Sequence, residues 1–169
     1  MVVWLIGLSG SGKTTLAKKI VAGANKKLKN TVLVDGDIIR EVFGNDLGYS
    51  MDDRLLNAQR ICQIGKFLDE QGFNVVCAIL SLFPETRDWN RDNIKDYYEV
   101  FIEVPIDILV DRDSKGIYAK YIKAEISDVA GMDIHFPVPE RADLVIDNSK
   151  SKDDLLAYSD SIIEKILQV

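Results

Sequence analysis

No apolar run in this chain is long enough to cross a membrane; the longest, such as Val75–Leu80, fall far short of the roughly 20 residues a span needs. The first six residues lead into a glycine-rich loop with no basic segment or small-residue cleavage site, so no signal peptide is expected. Cysteine is scarce. Cys62 and Cys77 sit in apolar surroundings without metal-ligand spacing, and we read both as buried thiols of a reducing, cytoplasmic compartment. His135 is the one histidine and reads as a surface residue. Internal repeats, low-complexity tracts and Pro/Gly/Ser linkers are lacking, which leaves a single domain over residues 1–169. Positive charge is in deficit: a net charge of -6 argues against a nucleic-acid polymer as partner, though not against small anionic ligands.

What is present is an alternation of short apolar runs and amphipathic stretches, the pattern of an α/β domain. Val2–Ile6, Val32–Val34, Val75–Leu80, Val100–Val104 and Leu144–Ile146 are nearly continuous hydrophobic runs, as strands of a parallel sheet covered on both faces require. The expected fold is a three-layer sandwich of the P-loop nucleotide-kinase kind, with a mostly parallel five-stranded sheet. Leu16, Ile20, Val21, Ala24 and Leu28 make one helical stripe, Leu55 to Leu68 another, and a last helix starts at Ser151 with Asp154 in capping-box position. Arg112 to Pro139 shows no clear sheet strand; a stretch of that length in a small domain is either a lid or disordered, and the lid is the favoured reading.

Gly7-Leu8-Ser9-Gly10-Ser11-Gly12-Lys13-Thr14 fits G-x-x-x-x-G-K-[ST], and it stands between an apolar run and an amphipathic helix, where such a loop works. Glycines let backbone N–H groups turn inward around a phosphate at a helix N-terminus. Lys13 reaches the β- and γ-phosphates, and the Thr14 hydroxyl ligates Mg²⁺. ATP and Mg²⁺ are therefore the expected cofactors. The guanine-reading N-K-x-D of a GTPase is missing, since the only Asn-Lys pair, Asn25-Lys26, continues Lys27-Leu28. A mechanical ATPase needs elements that this length does not hold. A small-molecule kinase is the class that fits, and the kept Lys13, Thr14, Asp35 and Asp37 disfavour an inactive ATP-binding regulator.

After the second run come Asp35-Gly36-Asp37 and Arg40, at the carboxyl end of a strand where ligands of open α/β sheets bind. One carboxylate can organise Mg²⁺ through its waters and the other can accept a hydroxyl proton; the alternative for Asp37 is a helix cap. Arg54, Asn57 and Arg60 share a broad helix face that reads either as a solvated surface or, favoured by the glycine-containing loop before it, as an anion-binding face. Arg87 and Arg91 either add to it or lie on an exposed face.

In order along the chain, these segments resemble the adenylylsulfate (APS) kinase family: Gly7 to Thr15 its P-loop, Val34 to Arg40 its aspartate motif, and Asp46 to Ser50 with Asp53, Arg54 and Asn57 its substrate segment. Arg112 to Tyr118 resembles its lid, and Pro139-Glu140 the closing segment. The resemblance implies phosphorylation of a ribose 3′-hydroxyl, with Asp37 as base and with Lys13 and Asp35 also catalytic. ATP would be held by Gly7, Ser9, Gly10, Ser11, Gly12, Lys13, Thr14 and Thr15, with Arg112 and Lys115 closing the lid over it. Arg40, Arg54 and Asn57 would hold the acceptor's phosphate region, Tyr49 would stack on its base, and Ser81 would lie near the transferred phosphate. A homodimer is implied as well. The departures cluster on the acceptor: Gln59 and Ile122 replace arginines, Ser81-Leu82-Phe83-Pro84 loses another, and Val129 replaces the phenylalanine that stacks on adenine. Loss of one aromatic face removes on the order of 1–3 kcal/mol of base stacking. That direction is similar to the branch of the family acting on cytidine 5′-diphosphoramidate in capsule synthesis, with APS itself as the alternative acceptor.

Overall fold

The five apolar runs form five parallel strands: β1 (Val2–Ile6), β2 (Thr31–Asp35), β3 (Asn74–Ile79), β4 (Tyr97–Glu103) and β5 (Leu144–Asp147), in the order β2-β3-β1-β4-β5. The computed structural model describes residues 1–113 and 115–168; Ser114, in the expected lid motif, and Val169 lie outside the described residues. β1 is central and wholly buried, with Trp4 in register with Cys77 on one side and Glu99 on the other.

Strand side chains alternate between two cores. Val3, Leu5, Val76, Ala78, Val100 and Ile102 meet α1 (Lys13–Ala24) and α7 (Lys152–Leu167), with Leu109 of α5 (Ile106–Arg112) and Tyr118 of α6 (Ile117–Ile122). Val2, Trp4, Ile6, Cys77 and Ile79 face the other way, toward Ile39 of α2 (Gly36–Val42) and Ile61 and Cys62 of α3 (Met51–Glu70). α4 (Pro84–Asn93) carries its proline in the first turn, where a missing N–H costs nothing. Among the described residues no helix is long and apolar enough to cross a membrane.

Several boundaries depart from the sequence expectation, each for a local reason. α1 stops at Ala24 and leaves Leu28 47% exposed, because the Asn25 amide turns away to bond both the N–H and the carbonyl of Thr31. β4 begins at Tyr97, three residues before the apolar run, since Tyr97 and the buried Glu99 extend the pairing with β1. α7 has the expected box, with Ser151 and Asp154 each capping the other's backbone N–H. Cys62 and Cys77 are buried, and His135 is exposed.

Candidate active site

The carboxyl ends of β1, β2 and β3 open onto a cleft of about 710 Å³. Its floor is the P-loop. Gly12 takes φ +99°, and a Cβ there would stand 2.6 Å from Leu155 Cδ2, so glycine is required where the loop turns into α1. No side chain caps α1 at this point, which leaves its first N–H groups free for an anion. Two contacts hold the loop from outside: Asn148 Nδ2 donates to Ser11 O at 2.9 Å, and the Tyr118 hydroxyl donates to Ser9 O at 2.9 Å. Tyr118 thereby anchors α6, within the segment expected as a lid, to the P-loop backbone.

Lys13 lies folded onto its own loop, donating to Leu8 O at 2.7 Å and Ser11 Oγ at 3.4 Å. Burial lowers its pKa to about 8; Lys115 lowers it too, while Asp35 and Asp37 pull the other way. Thr14 Oγ1 donates to Asp35 Oδ2 at 2.7 Å. Asp35, rather than Asp37, caps α2, accepting the Asp37 N–H at 3.0 Å. The Asp37 carboxylate is thus left free of the helix and faces Lys115 Nζ at 2.5 Å. That contact raises the Lys115 pKa. The phosphate loop, two carboxylates and a second lysine converge on one space.

The segment expected to hold substrate stands beside it. Arg54 donates from Nε to Tyr49 O and from a terminal nitrogen to Asp128 O, both at 2.7 Å, so one guanidinium ties residue 49 to the loop before Ala130. Tyr49 is 64% exposed, with the Arg40 and Arg54 guanidiniums 4.8 and 5.6 Å from its ring centroid. Buried Arg40 donates to the carbonyls of Leu47 and Gly48, shaping the loop that presents Tyr49.

Of the expected site residues, the cleft brings together Ser9, Gly10, Gly12, Lys13, Thr14, Thr15, Asp35, Asp37, Tyr49, Arg54, Lys115 and Val129. Arg40, Asn57 and Ser81 are buried behind its wall. Asn57 is 6% exposed, with an unpartnered Oδ1. Ser81 adopts φ +57° and takes hydrogen bonds from Trp4 Nε1 and buried Arg87. Arg112 points away, donating to Lys150 O at 3.0 Å. Arg87 and Arg91 fit neither of their expected roles: Arg87 supports Ser81 from within, and Arg91 lies 3.5 Å from buried Glu99 and from Asp143. Sequence reasoning did not single out Asn148 or Asp128. Nothing local marks Asn148; a charged residue beside Val129 in the segment expected as a lid was the available signal for Asp128.

A parallel 2-3-1-4-5 sheet with a P-loop after β1 and a paired-carboxylate motif after β2 defines a P-loop kinase. The adenylylsulphate kinase family profile matches residues 1–147. The chain is 41% identical to the cytidine diphosphoramidate kinase of Campylobacter jejuni subsp. jejuni serotype O:2, over 98% of this chain and 95% of that one. It is 36% identical to the adenylyl-sulfate kinase of Prochlorococcus marinus, over 100% of this chain and 84% of that one. The Mycobacterium tuberculosis APS kinase CysC, solved with AMPPNP and APS, superposes with a TM-score of 0.88 at 30% identity, covering 98% and 96% of the two chains. The chain belongs to the adenylylsulfate kinase family, and it is an ATP-dependent phosphotransferase acting on a small nucleotide.

Proposed function

We propose that the enzyme transfers the γ-phosphoryl group of ATP to the 3′-hydroxyl of cytidine 5′-diphosphoramidate. The observation that carries the acceptor assignment is Val129. It is a small aliphatic side chain in the wall of the cleft, where the resemblance implies the family's adenine-stacking phenylalanine. The high identity to the Campylobacter cytidine diphosphoramidate kinase supports the same reading. Adenylylsulfate is the second reading, favoured by the family profile and by the many related adenylyl-sulfate kinases.

In this reading Asp37 accepts the 3′-hydroxyl proton as that oxygen attacks the γ-phosphorus and the bond to the ADP oxygen breaks. Lys13 exchanges Leu8 O and Ser11 Oγ for phosphate oxygens. The Lys115 contact with Asp37 supports a role for its ammonium beside the base and the transferred group. The Thr14 hydroxyl and Asp35 carboxylate, 2.7 Å apart, form an all-oxygen donor pair suited to Mg²⁺, which binds one or two protein oxygens beside phosphates and water. When bound, the ion neutralises charge on the β- and γ-phosphates. The segment 112–139 acts as the lid, anchored through Tyr118. Cytoplasmic action follows from the need for ATP, and exposed Val42, Phe43 and Leu56 offer apolar surface to a homodimer.

The test is kcat/KM with ATP and either cytidine 5′-diphosphoramidate or adenylylsulfate, with the phosphorylated position fixed by ³¹P NMR. Faster turnover of adenylylsulfate overturns the acceptor assignment.

A further inference from the structure

One wall of the cleft carries a carboxylate that phosphate transfer does not use. Residues Ile126, Ser127, Asp128, Val129 and Ala130 line the cleft together with Tyr49. Asp128 is held in a conformation that non-glycine residues rarely adopt, φ +63°. Three contacts fix it there. Its N–H donates to Asp133 Oδ2 at 2.8 Å, the next N–H donates to Asp133 Oδ1 at 2.6 Å, and its carbonyl takes the Arg54 guanidinium at 2.7 Å. The same guanidinium holds Tyr49 O, so the carboxylate-bearing turn and the aromatic residue are one arginine apart. The side chain is steered as well, with Ser127 Oγ donating to Asp128 Oδ2 at 2.8 Å.

A carboxylate can only accept hydrogen bonds. In a cleft that receives polyanions it repels phosphate, so it serves only a ligand group that donates. A nucleotide acceptor has few such groups. The reacting 3′-hydroxyl belongs to Asp37, the vicinal 2′-hydroxyl is on the same ribose edge and so falls at the Asp37 end, and an N–H on the diphosphate end would bring Asp128 against phosphate charge. Beside an aromatic ring, the donor left is the exocyclic amine of the base. Cytosine and adenine carry one; uracil and hypoxanthine place a carbonyl oxygen in its stead.

We propose that the Asp128 carboxylate selects the acceptor's base by accepting a hydrogen bond from its exocyclic amine, so that the enzyme takes an amino-bearing base and rejects its carbonyl counterpart. The inference deepens the nucleotide-acceptor reading above and rests on it. Asp133 and Arg54 act as positioning residues that hold the turn.

The experiment compares kcat/KM for cytidine and uridine 5′-diphosphoramidates in the wild type, Asp128→Ala and Asp128→Asn, with ATP affinity confirming a folded P-loop. A charge-assisted hydrogen bond predicts a wild-type preference for cytidine of about 10-fold to 100-fold. Asp128→Ala collapses that ratio toward one, through loss on the cytidine side. Asp128→Asn raises uridine turnover above that of Asp128→Ala, because an amide N–H can meet the uracil carbonyl. A ratio that Asp128→Ala leaves unchanged, or equal losses on both substrates, overturns the proposal. Failure of the cytidine assignment looks different: the wild type then turns over adenylylsulfate and neither diphosphoramidate. In that case the ratio of adenylylsulfate to inosinylsulfate turnover tests Asp128 in the same way, and a ratio that Asp128→Ala leaves unchanged again overturns the proposal.

Discussion

Lys13 gives the site a pH dependence that can be worked out in advance. Without ligand its pKa is lowered to about 8, chiefly by burial and next by Lys115. In the proposed complex, phosphates of ATP reverse that environment, supplying negative charge to the ammonium and returning its pKa toward the ordinary lysine value near 10.4. The bound state then holds the proton more tightly than the free state. Affinity is therefore full below the free-state pKa and falls as pH rises through it. From pH 7 to pH 9 the protonated fraction of the free enzyme drops to about one tenth, so the Kd for Mg·ATP rises about tenfold and binding takes up close to one proton. Because Lys13 keeps some solvent contact, tenfold is a ceiling. The assay is titration calorimetry with a non-hydrolysable ATP analogue at pH 7, 8 and 9, in buffers of different ionisation enthalpy. Lys13→Arg stays charged across this range and its affinity stays flat. Lys115→Met removes the second cause of the shift and moves the step to higher pH. A wild-type affinity as flat as that of Lys13→Arg refutes the reasoning.

Three further expectations follow from other parts of the molecule. Asp37→Asn lowers kcat by about 10²–10⁴ in steady-state assays while ATP affinity moves only a few-fold; an unchanged kcat excludes Asp37 as base. In α1, a Cβ on Gly23 would stand 2.4 Å from Ile163 Cδ1. Gly23→Ala thus gains about 1 kcal/mol of helix propensity but loses about 1–3 to overpacking. Ile163→Val alone costs about 0.5–1.5 kcal/mol, yet the double variant recovers stability because the new methyl fills the vacated space. Additive changes in urea melts contradict that packing. Ser151→Ala, which removes the α7 capping box, costs about 1 kcal/mol and lowers Tm by about 2–4 °C in calorimetry.

The sequence disclosed what repeats along the chain or depends on a fixed spacing. Strand positions were visible because β1 and β3 are buried on both faces, so β1 throughout and β3 from Val75 onward are apolar without interruption. The P-loop and the α7 box are local patterns whose residue types follow from backbone geometry. Tyr97 and Glu99 hid the start of β4, since polar residues inside a strand look like its end until their partners are known. α6 was hidden for a different reason: of its six residues only Tyr118 is buried, too few to show a helical period. In the site, Asp35 and Asp37 were legible as a pair. Their division of labour was not, because which one caps α2 depends on a rotamer. Contacts across long separations, such as Asp37 with Lys115 and Ser11 with Asn148, leave no trace in local spacing.

Asp35 has a consequence for how the enzyme can change. One of its oxygens starts the helix that carries Asp37, and the other meets the hydroxyl of the phosphate loop. Asparagine would preserve the first role and surrender the charge; glutamate would keep the charge, but its longer arm misplaces both contacts. Folding and phosphate chemistry thus share one point of failure. On the roles proposed above, a lineage that shed the Asp35 charge would also loosen the helix holding the proposed base, which leaves few viable intermediates on the way to a silent ATP-binding protein. Val129 is tied down in a milder way, lining the cleft while packing into the core beside α5 and α6, so an aliphatic exchange there is open where a change at Asp35 is not.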